Sequence, residues 1–133
     1  MPDDFVAFAR LCKVEKPDET ISPENSVCRV MMYIRLFCDM TQAEIAEISK
    51  DYKYFSQSYI AKIEKMEAIP TFETAYNFCK IVNIDYTVFL DCVAKTTNQT
   101  NSEAAEYVVK ALTRILMEGM GEKWGIQKEI RYN

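Results

Sequence analysis

The chain has 133 residues and a formal net charge of −4, with 49% hydrophobic and 27% charged side chains. That length admits one compact domain, or a small domain with flanking helices, and the balance is that of a globular chain, not a disordered tail. No apolar run is long enough for a membrane helix, and a net negative charge argues against a protein that coats nucleic acid through bulk electrostatics.

Five cysteines without CxxC spacing, in a chain that has no histidine, offer no zinc site and no Ser/His or Cys/His nucleophile. The expectation is a non-enzyme with no metal and no cofactor. The start, Met1-Pro2-Asp3-Asp4, is acidic where a signal or transit peptide is basic, so a cytoplasmic chain with reduced cysteines is expected.

In chain order, Phe5, Phe8, Ala9 and Cys12 recur at helical spacing and predict a short N-terminal amphipathic helix. Lys16 to Ile21 mixes proline and charge as a linker. Ser22 followed by Pro23 marks a helix start, and Val27, Val30, Met31 and Ile34 carry its apolar stripe to an end near Cys38-Asp39. Thr41 and Glu44 have capping-box spacing ahead of Ile45, Ala46 and Ile48. After a polar and aromatic stretch from Ser49 to Phe55, in which Phe55 is expected to be buried, Ser56 caps a third helix with Tyr59, Ile60 and Ile63 inward.

Beyond Pro70, Thr71 opens a fourth helix whose inward face reads Phe72, Ala75, Phe78, Cys79 and Val82, closing near Asn83. Asp85 caps a very short fifth helix through Phe89-Leu90. The run Lys95 to Ser102 is read as a polar linker. From Ser102 or Glu103 a last helix places Tyr107, Val108, Ala111, Leu112, Ile115, Leu116 and Met120 on one wide apolar face, ending near Gly119 or Gly121.

Four blocks in this order, Ile34-Arg35, Met40-Thr41-Gln42-Ala43-Glu44-Ile45-Ala46, Ser56-Gln57-Ser58-Tyr59-Ile60-Ala61-Lys62-Ile63-Glu64 and Pro70-Thr71-Phe72-Glu73-Thr74, resemble successive blocks of the lambdoid phage repressor (XRE, Cro/CI-type) helix-turn-helix family. The resemblance covers about half of the chain. It implies an all-α, five-helix repressor-like domain over Ser22 to Asp91, with an extra N-terminal helix and linker in residues 1–21 and a linker and C-terminal helix in 92–133.

It further implies that Ser56 to Lys65 is the recognition helix, with Gln57, Ser58 and Lys62 facing base edges. Gln suits adenine and Lys suits guanine in the major groove. Gln42 matches the position that meets a backbone phosphate at a helix N-terminus. Arg35 and Glu64 match a structural ion pair that fixes the angle of the recognition helix.

Two departures qualify the resemblance. The stretch between Ala46 and Ser56 has about four residues more than the family's turn and lacks its glycine; either the second helix runs on or Asp51 to Tyr54 bulges out. In both cases Lys50, Tyr52, Lys53 and Tyr54 come beside the recognition helix, either as phosphate contacts, for which Lys50, Lys53 and, past the helix end, Lys65 are the candidates, or as an aromatic plug for the turn. After that helix, Met66-Glu67 replaces a glycine and a basic or polar residue, and Ser22 to Leu90 holds seven Lys/Arg against nine Asp/Glu.

Paired half-sites require a two-fold dimer, for which Val108, Leu112, Ile115 and Leu116 of the last helix are the candidate interface, with the Phe5 to Cys12 helix as a contributor; the alternative is that the last helix packs on its own domain. The reading is a sequence-specific regulator that binds double-stranded DNA as a homodimer, of the kind the family places in phages, mobile elements and bacterial control circuits. The alternative is a protein-interaction module on the same fold, such as an antitoxin, an anti-repressor or a phage inhibitor of a host defence nuclease. No membrane partner is expected.

Overall fold

The computed structural model describes residues 14–118, which form six α-helices and no strand. The helices are α1 (Pro23–Phe37), α2 (Gln42–Ser49), α3 (Gln57–Glu64), α4 (Phe72–Val82), α5 (Tyr86–Thr96) and α6 (Asn101–Glu118). The helix expected around Phe5 to Cys12 lies outside the described residues, as do Met120 and the glycines expected to end α6.

Most starts follow the local chemistry. Thr41 and Glu44 form a reciprocal capping box at 3.0 and 2.9 Å, and Ser56, Thr71 and Asp85 each accept a backbone N–H at the head of α3, α4 and α5. Ser22 stands in cap geometry before Pro23 but makes no side-chain cap bond. The stops are less usual, because α1, α3 and α4 all end on a left-handed residue that is not glycine. Asp39, Met66 and Asn83 have φ of 55°, 63° and 59°, and at each the following N–H reaches back to the helix, as in Glu67 N–H to Lys62 O at 2.8 Å.

One core joins all six helices. Val30, Met31, Tyr33 and Ile34 of α1, Ile45 of α2, Ile60 and Ile63 of α3, Phe78 and Val82 of α4, Phe89 and Cys92 of α5 and Ala104, Val108 and Leu112 of α6 are buried together. In this core α1 is the spine, packed against α3, α4, α5 and α6, while α2 lies on α3 and α4.

Several expectations are corrected here. The fifth helix is not very short: it has 11 residues, and the boundary expected at 91/92 falls inside it. Lys95 to Ser102 is not a free linker, because Thr96 ends α5 buried, with its hydroxyl donating to Cys92 O at 2.7 Å. The next residues then pair with the supposed linker at 16–21. Ile21 N–H donates to Gln99 O at 2.8 Å, Asn98 N–H to Ile21 O at 2.9 Å, Asn101 N–H to Glu19 O at 3.0 Å and Ser102 N–H to Pro17 O at 3.1 Å, around a bridge between Thr20 and Thr100. Thr100 and Glu103, not Ser102, make the capping box that starts α6.

The last helix therefore folds back on α1 and α5. Val108 and Leu112, expected at a dimer interface, are core residues of the chain's own fold; Leu116 is half-buried and Ile115 is 37% exposed. Phe72, expected inward, is 84% exposed. It shares the stripe of Ala75 and Cys79 by periodicity, but it sits at the leading end of α4, and no described side chain covers it there.

Candidate nucleic-acid interface

α3 buries Ile60 and Ile63 and presents Gln57, Ser58 and Lys62 to solvent. Positions 58 and 62 are one turn apart on the same face, and Gln57 adjoins them at the leading end. The face is polar with one cation, and Lys62 and Lys65 form no ion pair with any described residue.

Its orientation is set from α1. The Arg35 guanidinium meets the Glu64 carboxylate through two parallel bonds, Nε to Oε2 at 2.6 Å and Nη2 to Oε1 at 2.8 Å, with side chains only 12% and 9% exposed. The third nitrogen, Nη1, donates to Met40 O at 2.7 Å, tying the α1–α2 corner into the same cluster. Gln42, at the first turn of α2, donates from Nε2 to Glu64 Oε1 at 3.0 Å. Glu64 thus holds three elements together.

The lengthened turn contains both forms that its length allows. Past Ser49 the chain makes three tight i→i−3 bonds, Lys50 to Glu47 O, Asp51 to Ile48 O and Tyr52 to Ser49 O, and then bulges through Lys53 and Tyr54 to Phe55. Phe55 is buried, edge-on to Tyr59 at 6.4 Å. The residue that closes the bulge is Ser49, itself fully buried. Its Oγ accepts the Phe55 N–H at 3.1 Å and lies 2.6 Å from Ala46 O and 3.2 Å from Phe55 O, to one of which it donates. Sequence reasoning missed this role, because a serine at the end of a helix looks the same whether or not its hydroxyl later captures a residue six positions on.

Charge around this face is unevenly available. Lys50 pairs with Glu47 at 2.8 Å, which holds its ammonium above the ordinary lysine range, and Lys53 pairs with Glu73 at the start of α4. The Glu44 carboxyl is held below its ordinary range by the Thr41 backbone N–H and hydroxyl, so a negative charge sits near Gln42. Glu67 is exposed just past α3. The structure thus brings Gln57, Ser58 and Lys62 onto one helix with Lys65 as its C-cap, and places Lys53 beside its leading end, while Lys50 stays at the end of α2; Lys50 and Lys53 are each already engaged by a carboxylate.

Comparison with known proteins follows this geometry: a family model described as helix-turn-helix matches residues 31–89, from within α1 to within α5. This segment is a helix-turn-helix domain. It contains α2, the Ser49 to Phe55 stretch and α3. The match leaves out the first eight residues of α1 and all of α6, which complete the core of the helix-turn-helix domain. No curated protein and no solved structure matches the chain.

Among the described residues no group of three His, Cys, Asp or Glu side chains could hold a metal, and no helix is long and apolar enough to cross a membrane.

Proposed function

We propose that the chain is a sequence-specific transcriptional regulator of the repressor type that binds double-stranded DNA as a homodimer. The observation that carries this reading is the combination of an exposed Gln57, Ser58 and Lys62 face with the two-bond Arg35–Glu64 clamp behind it. A helix that reads base edges must be rigidly aimed, and its outward side chains must be donors and acceptors free to change partners.

Gln42 at the positive end of α2 meets one backbone phosphate, exchanging its bond to Glu64 for one to DNA. Lys65 adds a second contact. With Val108 and Leu112 inside the core, the two-fold contact falls to the outer end of α6, where Ile115 and Met117 are exposed beside Leu116. A dimer built there has to set its two α3 helices about 34 Å apart to read a pseudo-palindromic operator.

The test is selection of bound duplexes from a random-sequence pool at low salt. One enriched two-fold motif is expected, with affinity lost in the Gln57→Ala/Lys62→Ala double variant. No enrichment, or no effect of that variant, would sink the reading.

A protein-interaction role has one observation in its favour, an exposed apolar run of Ile69, Phe72 and Tyr76 leading into α4. A stoichiometric protein partner whose binding is lost on Phe72→Ala, with no DNA motif enriched, would decide for it.

A further inference from the structure

The lengthened turn is built to stay in one conformation. Ser49 fastens its far end, Phe55 anchors it in the core, Lys53 ties it to Glu73 on α4, and yet Tyr54 between them is 60% exposed. Behind Tyr54 lies a hollow of about 290 Å³ lined by Lys53, Tyr54, Ser56, Thr74 and Asn77, with Phe55 and Tyr59 as its floor. The lining offers an ammonium, hydroxyls and an amide, the ammonium being paired with the Glu73 carboxylate.

The place of this hollow follows from helix dimensions. α2 has eight residues and so is about 12 Å long, close to the roughly 12 Å width of the major groove of B-form DNA. In a helix-turn-helix complex the first helix crosses the backbone while the second enters the groove. Gln42 and the turn then stand at opposite ends of α2, about 12 Å apart, both on the helix that meets the backbone.

We propose that the lengthened turn is a second phosphate grip, seating a backbone phosphodiester in the hollow framed by Lys53, Tyr54, Ser56 and Thr74. This rests on the DNA-binding reading above. It places charge contact ahead of α3, whereas the segment after α3 carries Glu67. The Lys53–Glu73 pair is exposed on both sides, and such pairs hold weakly, so Lys53 can pass from Glu73 to a phosphate at small cost. Because the turn is already ordered, binding does not have to freeze it.

The experiment uses the full chain with two probes, the duplex enriched by selection and an unrelated duplex of equal length. Lys53→Ala is expected to weaken both about tenfold, the loss of one charge-assisted bond, and to lower the slope of log affinity against log salt by about 0.9. The enriched sequence and the melting temperature should stay unchanged. Glu73→Gln frees Lys53 and is expected to tighten both duplexes, but not when Lys53→Ala is also present, which separates release of Lys53 from the mere loss of a negative charge.

If Lys53→Ala and Glu73→Gln bind as the parent does while Gln57→Ala still loses the motif, the grip is wrong and the DNA-binding reading stands. A change in the enriched sequence on Lys53→Ala also overturns it, since a phosphate contact carries no base preference. So does loss of a protein partner with DNA affinity unmoved. If the parent chain binds neither duplex, both readings fall together.

Discussion

Glu64 is where one substitution tests the most. Glu64→Ala removes both bonds to the Arg35 guanidinium and the acceptor for Gln42, leaving a nearly buried cation with only the Met40 carbonyl. Stripping one partner from a buried pair costs about 3–5 kcal/mol; with 12% and 9% exposure some solvent screening remains, so a loss of about 3 kcal/mol is expected. For a domain of this size, whose whole stability is about 5–15 kcal/mol, that corresponds to a fall in melting temperature of roughly 12–24 °C.

The double variant Arg35→Met/Glu64→Leu replaces the pair with apolar groups and should recover to within about 1 kcal/mol of the parent, because the pair aims α3 more than it stabilises the fold. Urea unfolding followed by far-UV circular dichroism compares the parent, Glu64→Ala and the double variant. The reasoning is refuted if Glu64→Ala costs under about 1 kcal/mol, the range of an exposed pair, or if the double variant is no better than the single one.

Three further outcomes follow from the same geometry. Leu112→Ala should cost about 2–5 kcal/mol in the monomer as a core cavity, whereas Ile115→Glu should leave monomer unfolding within about 0.5 kcal/mol and lower only the dimer fraction in sedimentation velocity. Ser49→Ala strands the buried Phe55 N–H and should cost about 1–3 kcal/mol in thermal unfolding.

The third outcome is a pH dependence. The Cys79 and Cys92 thiols are pushed up to about 12 by burial, and the Tyr107 hydroxyl to about 12 by its bond to Asp91. Each keeps its proton longer folded than unfolded, so stability should hold below the ordinary thiol range and fall as pH rises from there toward 12. Flat stability across that window, or fast labelling of Cys79 and Cys92 in the folded chain, would contradict it.

What the sequence made readable was chemistry between near neighbours. Thr41 with Glu44, Ser56, Thr71 and Asp85 announce helix starts because each cap and its target lie two or three residues apart. Thr100 with Glu103 carries the same signal, masked by the polar run around it. Glu64 was legible as the partner of Arg35 only through resemblance, since 29 residues separate them. Hidden altogether was the pairing of 17–21 with 98–102. Both segments have the composition of linkers, yet each supplies the hydrogen-bond partners the other needs across some eighty positions, and composition records no partner. Asn101 shows this best: polar and buried, its Nδ2 donates to the carbonyls of Glu15 and Lys16, while its Oδ1 has no hydrogen-bond partner among the described residues. Phe72 erred the other way, because periodicity gives a face but not whether anything stands opposite it.

The pairing of the two outer segments means that the unit which folds is larger than the unit which recognises. A fragment cut to residues 31–89 would lose half of the spine helix and the whole of α6, exposing the Val30, Ile34 and Phe89 core, and should not persist as a folded body. On the proposed DNA-binding reading, exchange of binding preference is a matter of grafting α2, its turn and α3 onto an intact frame. The portable part is the short stretch between Arg35 and Glu64, and the frame that carries it is indivisible.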